Sequence, residues 1–370
     1  MLYKPMNKST RYKIATAITA AALAIGSLVS QQQKDPTNIL NSDSNIQYTY
    51  VDQEGVRVWG VLDDKATLKA TARTGKYRVE KTAAFYANPP VEEEIYSSTE
   101  QPLIEFPDWT QHLAFLPFVG NNYVELNWPD NRDRTARWRP APGSVSTGSP
   151  KVTAGTLGGP ICYGDNCNCF LTNSHVAGGL EGATIGEPML QPGPYHGGTM
   201  DDKIAEVVAI VAPKKKVSNT VDAAIACWPD NSTIYPEIYG IGKVTHVAED
   251  PQIGSVVTKC GVRTGCTLLT LKAKEVTVKI GYYTSGSKLP QMYTFTHQYL
   301  YSGVSDGGDS GSHIIAGELL LVQTEDGAFE ALLFAGNGDG EVMANSAEYL
   351  FQAIPEAYFP GMQFIGEAYP

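Results

Sequence analysis

The chain has 370 residues, enough for two or three domains, and 42% of them are hydrophobic, enough to fill substantial cores. Its formal net charge of −11 argues against nucleic acid as a partner. The 36 glycines, 23 prolines and 20 tyrosines favour an all-β protein with many turns.

The N-terminus has the pattern of a targeting segment. Basic residues between Lys4 and Lys13 precede an apolar run over residues 14–29. This run is short for a membrane span and matches the core of a signal peptide. We predict that residues 1–33 are a signal peptide or an uncleaved membrane anchor, and a buried helix is the third alternative. Either of the first two places the rest of the chain outside the cytoplasm.

Residues 34–137 contain no motif that assigns them a function. Alternating runs near residues 46–51 and 56–61 predict strands. Three interpretations stay open: a small β or α+β domain, a pro-region that assists folding, or a module that recruits substrate. A stretch rich in turn-forming residues, 140–150, follows.

Residues 138–370 have short strands with frequent turns and one helix near the C-terminus, which indicates a double β-barrel. Three polar residues stand out: His175 ends an apolar run, Asp222 opens another, and Ser310 lies in a glycine-rich turn. A serine nucleophile needs a base, and the base needs a carboxylate to orient it. Histidine, aspartate and serine in this order form one of three known chain orders of that triad.

These motifs resemble those of bacterial-type chymotrypsin-like serine proteases. The resemblance covers residues 139–358 and is carried mainly by Leu-Thr-Asn-Ser-His-Val at 171–176, Val-Asp-Ala-Ala-Ile at 221–225 and Gly-Asp-Ser-Gly-Ser at 308–312. It implies an all-β, chymotrypsin-like double β-barrel with a C-terminal helix. It also implies acyl transfer through an acyl-enzyme, with His175 as base and no metal or organic cofactor.

The resemblance assigns roles around the serine as well. The backbone N–H groups of Gly308 and Ser310 would form the oxyanion hole. Asp309 lies in the same loop and must be paired if it is buried. Relatives use an arginine in a turn like residues 261–265, so we predict an Arg263–Asp309 ion pair that shapes the loop without proteolytic activation. A free surface arginine is the alternative.

The same resemblance places the walls of the substrate pocket at Val304, Ser305, Phe334, Ala335 and Gly336. No aspartate occupies the position typical of trypsin-like specificity, although Asp306 is close. We therefore expect small or apolar residues before the cleaved bond.

The six cysteines suit an oxidising compartment. Cys260 and Cys266 flank a tight turn between two strand-like runs, and we predict a disulfide between them. Among Cys162, Cys167 and Cys169, we expect one pair across a predicted hairpin. A metal site built from these three is the alternative.

Together these features favour a secreted serine endopeptidase that acts on protein or peptide substrates. The alternatives are a catalytically silent binding or adhesion protein on the same scaffold, an esterase-type hydrolase using the same site, and a protease held latent by residues 34–137. A membrane tether through the N-terminal segment is a further option.

Overall fold

The structure is a computed structural model, and it describes residues 36–62, 77–88, 133–228, 234–285, 287–317 and 324–359. Two α-helices occur in this part of the chain, α1 (Pro36–Ser42) and α2 (Ala347–Ala353). The strands before residue 220 are β1 (Ile46–Val51), β2 (Arg57–Val61), β3 (Tyr77–Lys81), β4 (Phe85–Asn88), β5 (Ala141–Gly143), β6 (Ser146–Thr147), β7 (Gly155–Thr156), β8 (Gly159–Tyr163), β9 (Asn166–Thr172), β10 (Pro188–Leu190), β11 (Lys203–Val211) and β12 (Ser218–Asn219). The later strands are β13 (Ala223–Cys227), β14 (Ile234–Ile238), β15 (Gly242–Val247), β16 (Val256–Gly261), β17 (Gly265–Tyr282), β18 (Gln291–Gly303), β19 (His313–Ala316), β20 (Thr324–Gly336), β21 (Glu341–Ser346) and β22 (Ala357–Tyr358).

One sheet has six antiparallel strands in the order β10-β11-β13-β9-β8-β22. Strand β13 reads Ala-Ala-Ile-Ala-Cys and is buried along its whole length, as expected for a strand covered on both faces. Strands β9 and β13 pair with Thr172 opposite Ala224. Because the pairing is antiparallel, the end of β9 and the start of β13 lie side by side.

The second sheet has fourteen strands, and its main path is β12-β18-β21-β20-β19-β16-β17-β1-β2-β3. Strand β17 forms a long hairpin with β18, with Tyr282 opposite Gln291 near its tip. Residues 269–273 of β17 alternate between buried apolar and partly exposed side chains, the pattern of a strand with one covered face. The loop between β18 and β19 carries Ser310.

Strands of the N-terminal third join this second sheet. Strand β1 pairs with β17, with Tyr48 opposite Val278. Strand β4 pairs in parallel with β17 and, through Tyr86 opposite Gly336, antiparallel with β20. The side chains of Tyr48 and Phe85 are fully buried in one apolar cluster with residues of β17 and β18. The two regions therefore share a core.

The described residues form the all-β, chymotrypsin-like double β-barrel with a C-terminal helix that the sequence predicts. The strands predicted near residues 46–51 and 56–61 are confirmed as β1 and β2. Within the described ranges, neither helix has both the length and the apolar character that a membrane crossing requires. The predicted targeting segment, residues 1–33, lies outside the described residues.

All six cysteines are joined in disulfides. The predicted Cys260–Cys266 bridge is confirmed, and it closes the hairpin between β16 and β17. The expected pair across the β8–β9 hairpin is Cys162–Cys167. The third bridge, Cys169–Cys227, was not predicted and joins β9 to β13. The metal alternative fails for these cysteines, because each sulfur is bonded to another sulfur.

Candidate active site

The end of β9 and the start of β13 bring a histidine and a carboxylate together. His175 Nδ1 lies 2.6 Å from Asp222 Oδ2, and the His175 backbone N–H donates to Oδ1 over 3.1 Å. Both side chains are buried, Asp222 completely. The antiparallel register explains the contact, since it places the residues just after β9 and just before β13 at one edge of the sheet.

Asp222 accepts two further hydrogen bonds. Ser174 Oγ donates to Oδ1 over 2.6 Å, and Tyr282 OH donates to Oδ2 over 2.8 Å. Burial by itself would raise the pKa of Asp222, but the neighbouring His175 and the hydrogen bonds from His175, Ser174 and Tyr282 hold that pKa below its ordinary value. The carboxylate is therefore ionised and can hold the imidazole with its proton on Nδ1.

Ser310 is anchored next to this pair. Its carbonyl oxygen accepts a hydrogen bond of 2.8 Å from the backbone of Thr156 in β7. A side chain added at Gly155 would meet Val176, the neighbour of His175, on one side and the Ser310 carbonyl on the other. Strand β7 thus lies between the serine loop and the histidine turn and holds the two close together.

The hydroxyl of Ser310 does not face the histidine as a free nucleophile would. Its Oγ donates to the backbone oxygen of Ala87 in β4 over 3.0 Å, and the backbone oxygen of Phe334 lies at 3.4 Å. Among the hydrogen bonds of the described residues, none joins Ser310 to His175. His175 and Asp222 are therefore in direct contact, while the Ser310 hydroxyl is hydrogen-bonded to a strand of the N-terminal third.

The backbone of the loop around Ser310 depends on two glycines. Gly308 and Gly311 have φ of +110° and +97°, values that glycine adopts without strain. A side chain at Gly311 would also approach the Thr156 carbonyl oxygen to 2.2 Å. Within the described part of the chain, the backbone N–H groups of Gly308 and Ser310 make no hydrogen bond. The prediction that these two N–H groups form an oxyanion hole stays a prediction.

The partner of Asp309 differs from the one predicted. Lys259 in β16 places its Nζ 2.7 Å from Asp309 Oδ2, and neither side chain is exposed. The guanidinium of Arg263 instead pairs with Asp306 over 3.2 Å at the surface, and only the Arg263 backbone N–H reaches Asp309. The prediction of an Arg263–Asp309 ion pair is therefore wrong. The turn directs the arginine side chain outward, while the adjoining strand directs the lysine inward.

Besides Lys259, the described residues that hydrogen-bond to the Asp309 carboxylate lie in the turn after β16 and in the loop of Asp309 itself. Thr264 donates through its hydroxyl over 2.6 Å and through its backbone over 3.1 Å, and the Asp306 backbone N–H donates over 3.2 Å. Burial favours a raised pKa for Asp309, but Lys259 and the Thr264 donors lower the pKa below its ordinary value. An ionised carboxylate next to Ser310 thus ties the nucleophile loop to β16 and the turn after it.

A cavity of about 250 Å³ opens beside Ser310. Three of the five predicted pocket residues line it, Ser305, Ala335 and Gly336. The other two do not line it: Val304 is 61% exposed, and Phe334 is fully buried against Phe295. The remaining lining residues are Tyr86, Ala87, Asp306, Gly307, Leu333, Asn337 and Gly338.

Comparison with known proteins found similar solved structures only. No family model matches the chain, and no curated protein matches it. Thermobifida fusca Protease A is 17% identical over 59% of this chain and 97% of its own, with a TM-score of 0.42. Cellulomonas bogoriensis chymotrypsin is 15% identical over 60% and 99%, with a TM-score of 0.42, and Nocardiopsis protease is 17% identical over 59% and 97%, with a TM-score of 0.40.

The chain resembles bacterial chymotrypsin-like serine proteases in structure. At these identities the likeness concerns the fold, and the chemistry has to be inferred from the residues of the site itself.

Three residues of the site escaped the sequence analysis. Lys259 had a readable signal, because a lysine within an apolar strand next to a cysteine must find a buried partner. Tyr282 and Ala87 had none, since a tyrosine or alanine in an apolar run is an ordinary core residue. Their roles depend on contacts between distant parts of the chain.

Proposed function

We propose that the protein is a serine endopeptidase, in which Ser310 attacks the peptide carbonyl, His175 carries the proton and Asp222 holds the imidazole. The observation that carries this proposal is the 2.6 Å contact between His175 and the buried, ionised Asp222, with Ser310 anchored beside it on β7. A buried histidine–carboxylate pair next to a serine in a glycine-rich loop is the arrangement that acyl transfer requires.

In this mechanism His175 takes the Ser310 proton as the oxygen bonds to the substrate carbonyl carbon. The carbonyl oxygen gains the negative charge, and the N–H groups of Gly308 and Ser310 stabilise it. His175 then gives the proton to the leaving amine, which leaves an acyl-enzyme on Ser310. Water attacks the acyl carbon by the reverse sequence and releases the acid.

A fluorophosphonate probe tests the proposal, because it phosphonylates an activated serine hydroxyl. We expect the protein to be labelled at Ser310 and the Ser310→Ala variant not to be labelled. Ser312→Ala is the matched control, since Ser312 lies two residues away and donates to the Asp309 carbonyl. Absence of labelling in every form would favour the silent binding protein. Labelling with hydrolysis of esters but not of a peptide library would favour the esterase.

Location and specificity belong to the same proposal. Three disulfides support a place outside the cytoplasm, where such bonds persist. We propose a protein or peptide as substrate, with a small or apolar residue before the cleaved bond. The narrow cavity walled by Ala335 and Gly336 supports this choice, and the charge of Asp306 at its rim is offset by Arg263.

A latent form of the same enzyme is favoured by a separate observation. The Ala87 carbonyl oxygen accepts a hydrogen bond from the Ser310 hydroxyl, and Tyr86 pairs with Gly336 at the wall of the cavity. A peptide substrate would need the space that β4 fills. The Asn88 side chain fastens β4 through two hydrogen bonds with the Tyr283 backbone, of 2.7 and 2.8 Å. We therefore propose that β4 has to move before Ser310 can react.

Replacing Asn88 by alanine should release β4 and speed up the enzyme. Loss of two hydrogen bonds weakens the docking by about 1–3 kcal/mol, so we expect fluorophosphonate labelling and peptide cleavage to rise about tenfold. Asn41→Ala is the control, because Asn41 also joins the N-terminal segment to β18, through Thr294, but away from the cavity. If Asn88→Ala lowers both rates, β4 is a permanent wall of the site and the latent form is wrong.

A further inference from the structure

Tyr282 makes a contact that the proposed mechanism has not yet used. Its hydroxyl donates to Asp222 Oδ2 over 2.8 Å, the same oxygen that His175 Nδ1 contacts. The Tyr282 ring also meets the His175 ring edge-on, with 5.7 Å between the ring centres. One side chain therefore touches both the orienting carboxylate and the imidazole.

This contact crosses from one sheet to the other. Asp222 precedes β13 of the six-stranded sheet, whereas Tyr282 ends β17 of the fourteen-stranded sheet. The Tyr282 ring is held in place by Tyr293 at 5.2 Å and Phe295 at 6.2 Å between ring centres. Since the side chain is fully buried and packed on two sides, its hydroxyl has a fixed direction.

The direction of this hydrogen bond is fixed by chemistry too. Burial, the Asp222 charge and the hydrogen bond to it raise the pKa of Tyr282 well above that of a free phenol, so the hydroxyl keeps its proton. The ionised carboxylate can only accept. Among the described residues, His175 is the other titratable group in contact with Asp222, and Tyr293 packs its ring against Tyr282 while its hydroxyl bonds to Gln291.

We propose that Tyr282 is a positioning residue for the reaction: its hydroxyl holds the Asp222 carboxylate from the opposite sheet and so sets the orientation of His175. This inference rests on the proposed function. Without the Tyr282 hydroxyl, more of the negative charge on Asp222 Oδ2 acts on the imidazole and stabilises its protonated form. The orientation of the imidazole is also less restricted, because the carboxylate that holds it has lost one hydrogen bond.

The test compares Tyr282→Phe with Tyr293→Phe, each of which removes one phenol hydroxyl and keeps the ring. Tyr293 donates to Gln291 over 3.3 Å and has no contact with Asp222 among the bonds of the described residues. For Tyr282→Phe we expect kcat to fall about tenfold with KM changed less than about twofold. The acid limb of the kcat/KM profile should move to higher pH. Tyr293→Phe should change neither.

A second measurement separates this inference from the peptidase proposal. In a Ser310→Ala background, which has no turnover, the proton between His175 and Asp222 is followed as a downfield resonance in the proton NMR spectrum. We expect Tyr282→Phe to shift that resonance and to raise the pH at which the imidazole titrates, whereas Tyr293→Phe leaves both unchanged. If these changes occur although the protein with Ser310 intact cleaves no peptide, the peptidase proposal is rejected and the contact of Tyr282 with the Asp222–His175 pair still stands. An unchanged resonance and titration in Tyr282→Phe would overturn the positioning role, whatever the activity.

Discussion

Replacing Asp222 by asparagine is expected to lower the peptidase kcat by about 10⁴-fold. The asparagine side chain would point its NH2 group either toward His175 Nδ1 or toward the hydroxyls of Ser174 and Tyr282, which are donors themselves. The imidazole would therefore lose the tautomer in which Nε2 is free to take a proton. Steady-state kinetics on a peptide substrate, at one pH near neutrality, measures the loss.

The chain offers a matched control for this substitution. Asp326 contacts His246 Nδ1 over 3.2 Å, but both side chains are at the surface, with Asp326 78% exposed. Asp326→Asn also removes a charge from a histidine–carboxylate pair and should leave kcat within about twofold, because an exposed pair contributes little. Equal activities for Asp222→Asn and the unmodified protein would remove Asp222 from the mechanism.

Replacing Lys259 by methionine is expected to reduce the free energy of unfolding by about 3–5 kcal/mol. Methionine fills similar space but leaves the buried Asp309 charge without its partner, 2.7 Å away in the unmodified protein. Because Asp309 adjoins Ser310, fluorophosphonate labelling should fall in the fraction that stays folded. Chemical denaturation at neutral pH measures the stability change.

The dependence of this loss on pH identifies its cause. The lowered pKa of Asp309 means that the ion pair stabilises the fold fully above about pH 4 and that this contribution is lost as the pH falls through the folded-state pKa. The difference in the free energy of unfolding between Lys259→Met and the unmodified protein should therefore become smaller in acid. Arg263→Ala, which removes an exposed pair, should cost less than about 1 kcal/mol. A larger loss in Arg263→Ala than in Lys259→Met would restore the arginine as the partner.

The fold could be predicted because its signals are local. Strands such as β1 and β13 have alternating or continuous apolar sequences, and glycine-rich turns separate consecutive strands. Which strands of the N-terminal third would pair with β17 could not be read in the same way. Pairing of β1 with β17 joins residues more than two hundred positions apart, and a strand pattern does not name its partner.

In the candidate site, too, residues in local motifs could be predicted, whereas contacts between distant residues could not. His175, Asp222 and Ser310 lie in short motifs whose residue types are set by the chemistry they suit, so each could be picked from the sequence. The partner of Asp309 could not, because Lys259 lies just before the turn, Arg263 lies within it, and both carry the right charge. Only the register of β16 decides that the lysine points inward.

The Cys169–Cys227 bridge has a consequence for the alignment of the candidate site. It links the strand that precedes His175 to the strand that follows Asp222, at positions directly opposite each other. A slip of one residue between these strands would turn the base and the acid to opposite faces. Small thiols would reduce this disulfide, and the alignment of His175 with Asp222 would then depend on non-covalent interactions alone. The oxidised state of Cys169 and Cys227 thus maintains the alignment of His175 with Asp222 as well as the stability of the fold.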